Sequence, residues 1–315
     1  MEDDSLITRR RDRIARGDSI SDLDRSLRKG DLLSVAPGAY VDSRVWRELP
    51  PLRRHRLRVL ASLERLHSDP TLSHFSAAAY WGLNIWQRWP ATVDILVDNR
   101  AARSSGAFRR HTGNADRHET VHTGDFSVTT VAQTAVDIAL IVPFAEAVVT
   151  MDSALYAGRD GGPATTRDEL REAAGRMQGV PGSRRAAAAV AFATPLADSP
   201  LESFSRVRIM EAGFAEPELQ KEFRGPDSFR AKVDFWWPDY GVIGEADGRI
   251  KYGAAPSPDG EDARQAVIAE KNRENVLRRM SVGFARWEHR DVTGVGRLAA
   301  ILRQAGLPTV RRSPS

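Results

Sequence analysis

The chain has no cysteine among its 315 residues, which excludes a disulfide framework and any thiolate metal site. Its 7 histidines are scattered, a second argument against zinc. The opening MEDDSLITRRRD lacks the apolar core of a signal peptide, and no stretch approaches the roughly 18 consecutive apolar residues of a membrane helix. These absences predict a soluble cytoplasmic protein with no membrane partner. Neither sign of charge is scarce: Lys+Arg 46 stands against Asp+Glu 42, a net charge of +4, and the sequence pI is about 9.6. The arginines are bunched, in Arg9 to Arg13, Arg53 to Arg58 and Phe108 to His111. Such bunches imply local basic surfaces and an anionic partner, although any single bunch equally fits a solvated helix face.

A chain of this length exceeds the usual single domain, and its pattern predicts several. Residues 5–42 read as two short helices, Leu6 to Ala15 and Ser21 to Lys29, followed by a hairpin with a Pro-Gly turn in LLSVAPGAYV. These are helix-turn-helix proportions, and the second helix offers Arg25, Arg28 and Lys29 to phosphates and base edges. A helical pair that merely packs on its neighbour is the plainer alternative. Residues 49–160 read as a mixed α/β unit: a helix from Arg53 to Leu66, a buried helix from Ser76 to Leu83, a strand from Thr92 to Val97, and a helical region from Thr130 to Ala157 broken at Pro143. His111, His118 and His122 fall in a polar, Gly-containing stretch and read as solvent-exposed loop residues, with metal ligation the lesser alternative. Residues 161–190 read as a helical linker, 191–308 as a last α/β domain and 309–315 as a disordered tail.

The stretch VDFWWPDYGVIGEADGRIKY, Val233 to Tyr252, concentrates the chemistry. Two apolar runs flank the turn Pro238 to Gly241, so Trp237 faces Val242 and, counting back, Asp234 stands opposite Glu245, with Asp247 on the face of Glu245. Like charges placed together destabilise a hairpin unless a cation compensates. Oxygen donors without His or Cys suit Mg²⁺, or Mn²⁺.

On either side lie two helices. Ser199-Pro200-Leu201-Glu202 opens one that stops at Gly213, and Glu202 fits a capping box as well as a metal or water contact. Asp262 to Met280 is the other, with Ala266, Ala269, Val276, Leu277 and Met280 as its apolar stripe. Arg273 lies inside that stripe with Glu270 as a partner, and Lys271 faces away. Phe284 to His289 reads as a strand and Val295 to Gln304 as a closing helix.

The order of Glu202, Asp234, Glu245-Ala-Asp247-Gly248, Lys251-Tyr252 and EKNRENVLR resembles the PD-(D/E)XK nuclease superfamily, and more narrowly the branch related to very-short-patch repair endonucleases. The standard motif has a lysine two residues after the second acid, where this chain has Asp247. In that branch an E-x-D-G segment is usual, with a His or Lys four residues after the Asp, the place of Lys251. The resemblance implies a restriction-endonuclease-like domain in which Asp234 and Glu245 hold the metal and Asp247 joins them or orients its water. Lys251 would position or deprotonate the attacking water, Glu202 would act from the first helix, Arg273 would contact the scissile phosphate or lock an acid, and Gln220 would match a family glutamine. A surface lysine at a strand end is the plain alternative for Lys251. Residues 5–155, with GAYV, SAAAYWGL and VTTVAQTAVDIAL, resemble the AbiEi-type antitoxins of type IV toxin-antitoxin systems. That implies a winged helix binding duplex promoter DNA, and a cognate toxin as possible partner. The expectation is therefore a multidomain α/β protein that binds DNA and carries a Mg-dependent endonuclease domain, in phage defence or repair. The alternatives are an antitoxin-like repressor whose nuclease-like domain is non-catalytic, and a structural protein whose acids are salt-bridged by arginines.

Overall fold

The computed structural model describes residues 3–310 apart from 18, 64–65, 67–69, 99–105, 114–116, 226–228, 249–260 and 295. It is a mixed α/β chain with three sheets. Two compact units divide it: Met1–Thr150 with Ala164–Ala191, and Met151–Pro163 with Phe192–Ser315.

The first unit begins with β1 (Thr8–Arg9), α1 (Arg10–Ala15), α2 (Ile20–Lys29), β2 (Leu32–Ala36) and β3 (Ala39–Asp42), the strands ordered β1-β3-β2. The first helix starts at Arg10, not Leu6, because Thr8 and Arg9 pair with Tyr40 and Ala39 as a third strand. The second starts one residue early, since the cap is Ser19, whose hydroxyl accepts from the Ser21 NH at 3.2 Å. The Pro37-Gly38 turn closes the hairpin as expected, with Gly38 at φ +79°. There follow α3 (Ser43–Glu48), α4 (Pro51–Leu63), β4 (Thr71–Leu72), α5 (His74–Trp81), β5 (Val93–Val97), β6 (Phe108–Thr112), β7 (Thr120–His122), β8 (Ser127–Thr129), α6 (Val131–Ile141), α7 (Phe144–Leu155), α8 (Arg167–Arg176) and α9 (Ser183–Phe192). The second sheet has the order β6-β5-β4-β8-β7, its core filled by Leu72, Val93, Ile95, Phe108 and Val128. Pro143 separates α6 from α7 as the sequence implied. Most of the expected linker belongs to the body of this unit: Arg185 on α9 donates from Nε to the Ala139 carbonyl at the end of α6, at 3.2 Å.

In the second unit, α10 (Pro200–Glu211) precedes β9 (Glu218–Arg224), β10 (Arg230–Trp237), β11 (Val242–Ala246), α11 (Glu261–Met280), β12 (Gly283–Trp287), α12 (His289–Thr293) and α13 (Arg297–Gln304). The sheet order is β12-β11-β10-β9. The three earlier strands run antiparallel, whereas β12 lies parallel to β11 because the chain returns through the helix α11. Trp237 and Trp287 are buried on this sheet, and the Trp287 indole donates to Ser205 Oγ of α10 at 2.8 Å. Gly244 is required between them: a Cβ there would stand 2.7 Å from the Trp287 ring. Of the tail expected over 309–315, Thr309 bridges to Phe214 and the Val310 NH donates to the Gly213 carbonyl at 2.8 Å, so both are ordered; 311–315 lie outside the described residues. Along α11 the expected stripe is narrower than its sequence implied. Leu277 is buried and Val276 half-buried, but Ala269 and Met280 are exposed, and the side chain of Ala266 lies outside the described residues.

Candidate functional site

The hairpin behaves as its sequence implied. Trp237 pairs with Val242, Trp236 with Ile243 and Phe235 with Gly244, around the turn Pro238–Tyr240 and Gly241 at φ +62°. One further step of that register sets Asp234 beside Glu245. Asp234 is tied to β11 by its own carboxylate, whose Oδ2 accepts from the Ala246 NH at 2.8 Å.

From the other side comes Glu202, in the first turn of α10. Its cap Ser199 accepts from the Glu202 NH at 3.2 Å and donates its hydroxyl to Oε1 at 2.7 Å. Oε2 accepts from Gln220 Nε2 at 2.6 Å and from the Asp198 NH at 3.3 Å. Of the two roles the sequence left open for Glu202, these contacts fill the one at the helix start. Gln220 reaches Glu202 from the middle of β9 in a left-handed conformation, φ +55°, a strain of about 1–3 kcal/mol for a non-glycine residue. Since Val233 pairs with Lys221 and Phe235 with Leu219, Gln220 stands opposite Asp234. Burial, then the carboxyl of Asp198 and the charge of Asp234, push Glu202 up to about 9. Burial first, and then the charges of Glu245 and Asp198, raise Asp234 to about 6, against the lowering effects of the Ala246 NH and Arg273. These two acids are therefore short of positive charge.

Glu245, 8 % exposed, is in the opposite condition. Arg273 of α11 grips it with Nη2 at 2.7 Å from Oε1, also donating to the Lys232 carbonyl and to Glu270. Arg286 of β12 donates to Oε2 at 2.9 Å and bridges to Glu270 at 3.3 Å and Glu274 at 3.2 Å. Arg286 was not singled out in the sequence. Its place follows from the parallel register that pairs it with Glu245. Among the described residues no group of three or more His, Asp or Glu side chains is arranged to hold a metal ion. Asp247, half-buried, continues past β11 with its NH donating to the Trp287 carbonyl at 2.8 Å. Lys251 lies outside the described residues.

The expected basic surfaces are reduced by internal pairing. Arg53 and Arg56 face Asp3, Arg54 donates to the carbonyls of Trp46 and Arg47, and Arg58 lies over the Trp46 ring. Arg25, Arg28 and Lys29 do lie exposed on α2, Arg25 in a local pair with Asp22 at 2.8 Å.

The histidine expectation needs correction. His122 is exposed, but His118 is 7 % exposed and His111 is half-buried. His111 Nε2 stands 2.8 Å from Asp94 Oδ1, and its ring stacks on His74 with centroids 3.5 Å apart. His118 Nε2 lies 3.7 Å from Asp137. His74 opens α5 at φ +47°, and burial, then the charges of His111, His118 and Arg109, hold it well below its ordinary value. Buried Asp137 is raised to about 7. Residues far apart in the chain are packed together here, a proximity that no local pattern signals.

No family model matches the chain. It is similar to two curated proteins of Mycobacterium tuberculosis, the uncharacterized protein MT2308 of strain CDC 1551 / Oshkosh and the uncharacterized protein Rv2248 of strain ATCC 25618 / H37Rv. Each is 32% identical over 126 residues, 40% of this chain and 44% of the relative. The chain thus covers less than half the length of the relatives it matches. Among the described residues no helix is long and apolar enough to cross a membrane.

Proposed function

We propose that the second unit is a metal-dependent phosphodiesterase domain of the PD-(D/E)XK type, acting on DNA in the cytoplasm. The observation that carries this reading is the register that sets Asp234 beside Glu245 and opposite Gln220, whose amide donates to Glu202 at 2.6 Å, with burial raising Glu202 and Asp234. Carboxylate oxygens suit a hard divalent cation, Mg²⁺ or Mn²⁺, and the charge that these two acids lack is what such an ion would bring. Asp234, Glu245 and Asp247 would hold it, and it would polarise the phosphodiester and acidify bound water. The chain's own residues complete the work. Gln220, opposite Asp234, would steady the Glu202 carboxyl, and Lys251 would stand near the attacking water. Arg273 and Arg286 present guanidinium groups suited to a phosphate.

The helix pair and hairpin of Arg10–Asp42 support a winged-helix reading of the N-terminus, with Arg25, Arg28 and Lys29 toward duplex DNA. Binding should then weaken steeply with salt, and replacing all three by alanine should reduce the salt slope by about 2 to 3, measured by fluorescence anisotropy. Salt-independent binding would discard the module.

A second reading, an antitoxin-like repressor with a silent nuclease-like domain and a cognate toxin, is favoured by the ion pairing of Glu245. Incubating the purified chain with plasmid and single-stranded DNA in Mg²⁺ or Mn²⁺ decides between them. Cleavage abolished by EDTA supports the enzyme, and intact substrate under every metal supports the repressor.

A further inference from the structure

The start of α5 is fastened to β5 at one residue. The Ser73 NH donates to the Asp94 carbonyl at 3.2 Å, and the Asp94 NH donates to Ser76 Oγ at 2.7 Å. Between these anchors stands His74, buried and held at φ +47°, a left-handed backbone that costs a non-glycine residue energy. Its Nδ1 meets Ser73 Oγ at 3.1 Å, and its ring lies on that of His111 from β6, with centroids 3.5 Å apart and planes 14° from parallel. His111 Nε2 in turn stands 2.8 Å from Oδ1 of the buried Asp94, with Arg109 Nε 3.7 Å from the same oxygen. Other charged groups close the surroundings. His118, between β6 and β7, lies 3.7 Å from Asp137 of α6, whose Oδ1 accepts from Gln133; Arg176 of α8 reaches Gln133 and Glu119, and buried His55 of α4 feels the charge of Asp94.

This stack has room for one positive charge. A proton on His111 makes its contact with Asp94 an ion pair, whereas a proton on His74 is buried, faces a hydroxyl and lies one ring spacing from His111. Burial first, then the charges of His111, His118 and Arg109, therefore hold His74 well below its ordinary 6.5. Once released from the fold it titrates at that ordinary value, so an open α5 binds more protons than a closed one. The stability this contributes is complete above 6.5 and is lost as pH falls below it, the opening equilibrium rising by up to about tenfold per pH unit. Asp137, raised to about 7, acts in the opposite sense, but from α6.

We propose that the His74–His111 stack is an acid-operated catch for α5: as pH falls, a second proton entering the pair expels His74, and the first turn of α5 parts from β5. The left-handed strain at His74 relaxes in the same step and favours release. This device belongs to the first unit and is independent of the acids on the hairpin of the second.

The test is hydrogen–deuterium exchange of the full chain between pH 7 and pH 5, corrected for intrinsic rates and read by mass spectrometry on peptides covering α5, with α10 of the second unit as internal reference. In wild type the corrected exchange of α5 is expected to rise about tenfold over this interval relative to α10. His74→Asn places a residue at ease in left-handed backbone that takes up no proton, and should abolish the rise. His111→Asn keeps an amide donor for Asp94 but removes the neighbouring charge, so that His74 is less opposed to a proton and the rise should shrink to about threefold or less. It serves if His74→Asn does not fold. A wild-type rise no larger than that of α10, or a rise of equal size in wild type and the variants, would overturn the catch.

Discussion

Two clusters of buried titratable groups, one in each unit, neutralise their charge in different ways. In the second unit buried Glu202 feels the charge of Asp234, and both are pushed toward the protonated form. In the first, carboxylates are matched with imidazoles: Asp94 with His111 at 2.8 Å, Asp137 near His118 at 3.7 Å. A carboxylate beside an imidazole can settle its charge by ion pairing, whereas neighbouring acids settle it by keeping protons. In the first arrangement Asp94 Oδ2 and Asp137 Oδ2 are buried without a hydrogen-bond partner, and Asp137 too is raised, to about 7.

The strongest way to break this contrast is to remove one group from each cluster and measure DNA cleavage. Asp234→Ala should lower the Mn²⁺-dependent rate by about a thousandfold or more, as expected when a metal-holding acid is lost, while His111→Ala should leave it within about twofold. Comparable losses in both would erase the distinction, and full activity in Asp234→Ala would remove the site.

A smaller effect sharpens it from the other side. Asp94→Asn weakens the acceptor of the His111 contact in a fully buried place, and should cost about 1–3 kcal/mol of unfolding free energy in urea. Glu245→Gln should likewise destabilise, because two guanidiniums lose their counter-charge. Unchanged stability in Asp94→Asn would mean that the dyad is incidental.

The smallest effect is in pH. The folded value of Glu202, about 9, lies above its ordinary 4.5, so the folded chain holds a proton that the unfolded chain has released through that interval. The associated stability is complete below about 4.5 and is lost as pH rises through about 9; Asp234 behaves likewise between 3.8 and about 6. Metal-free protein should therefore denature at lower urea at pH 8 than at pH 5. Glu202→Gln should flatten that slope and melt a few degrees higher at pH 8, by about 2–4 °C per kcal/mol recovered. Asp137, raised to about 7, contributes in the same direction between 3.8 and 7, and His55, lowered to about 4 by burial, contributes oppositely below 6.5. A slope unchanged in Glu202→Gln would assign the pH dependence to Asp234 and Asp137.

Much of the acid site was legible in advance because it is local. A Pro-Asp-Tyr-Gly turn between two aromatic and branched runs sets its own register, and that register decides which acids meet. Ser199 and Pro200 announce a helix start, and Arg273 inside an apolar stripe announces an inward charge. Arg286 was not legible, since its partnership with Glu245 depends on a parallel pairing across a helix of 20 residues, and no spacing encodes which strand the return will join. His74, His111 and His118 were hidden for the same reason. A polar residue in a breaker-rich stretch looks solvent-exposed until the sheet that covers it is known, and β5 and β6, which bring Asp94 to His111, pair in parallel as well.

By itself, then, the amino-acid order determined the elements whose instructions lie within a few residues: caps, the Pro-Gly and Pro-Asp-Tyr-Gly turns, the break at Pro143, and the clustering of acids on one hairpin. Tertiary structure alone decided which charges are neutralised, because that depends on neighbours brought in from other elements. Arginines from α11 and β12 close over Glu245, while Glu202 is left under the charges of Asp234 and Asp198. Electrostatic energies are set by distance and burial, and neither is a property of a residue's position in the chain.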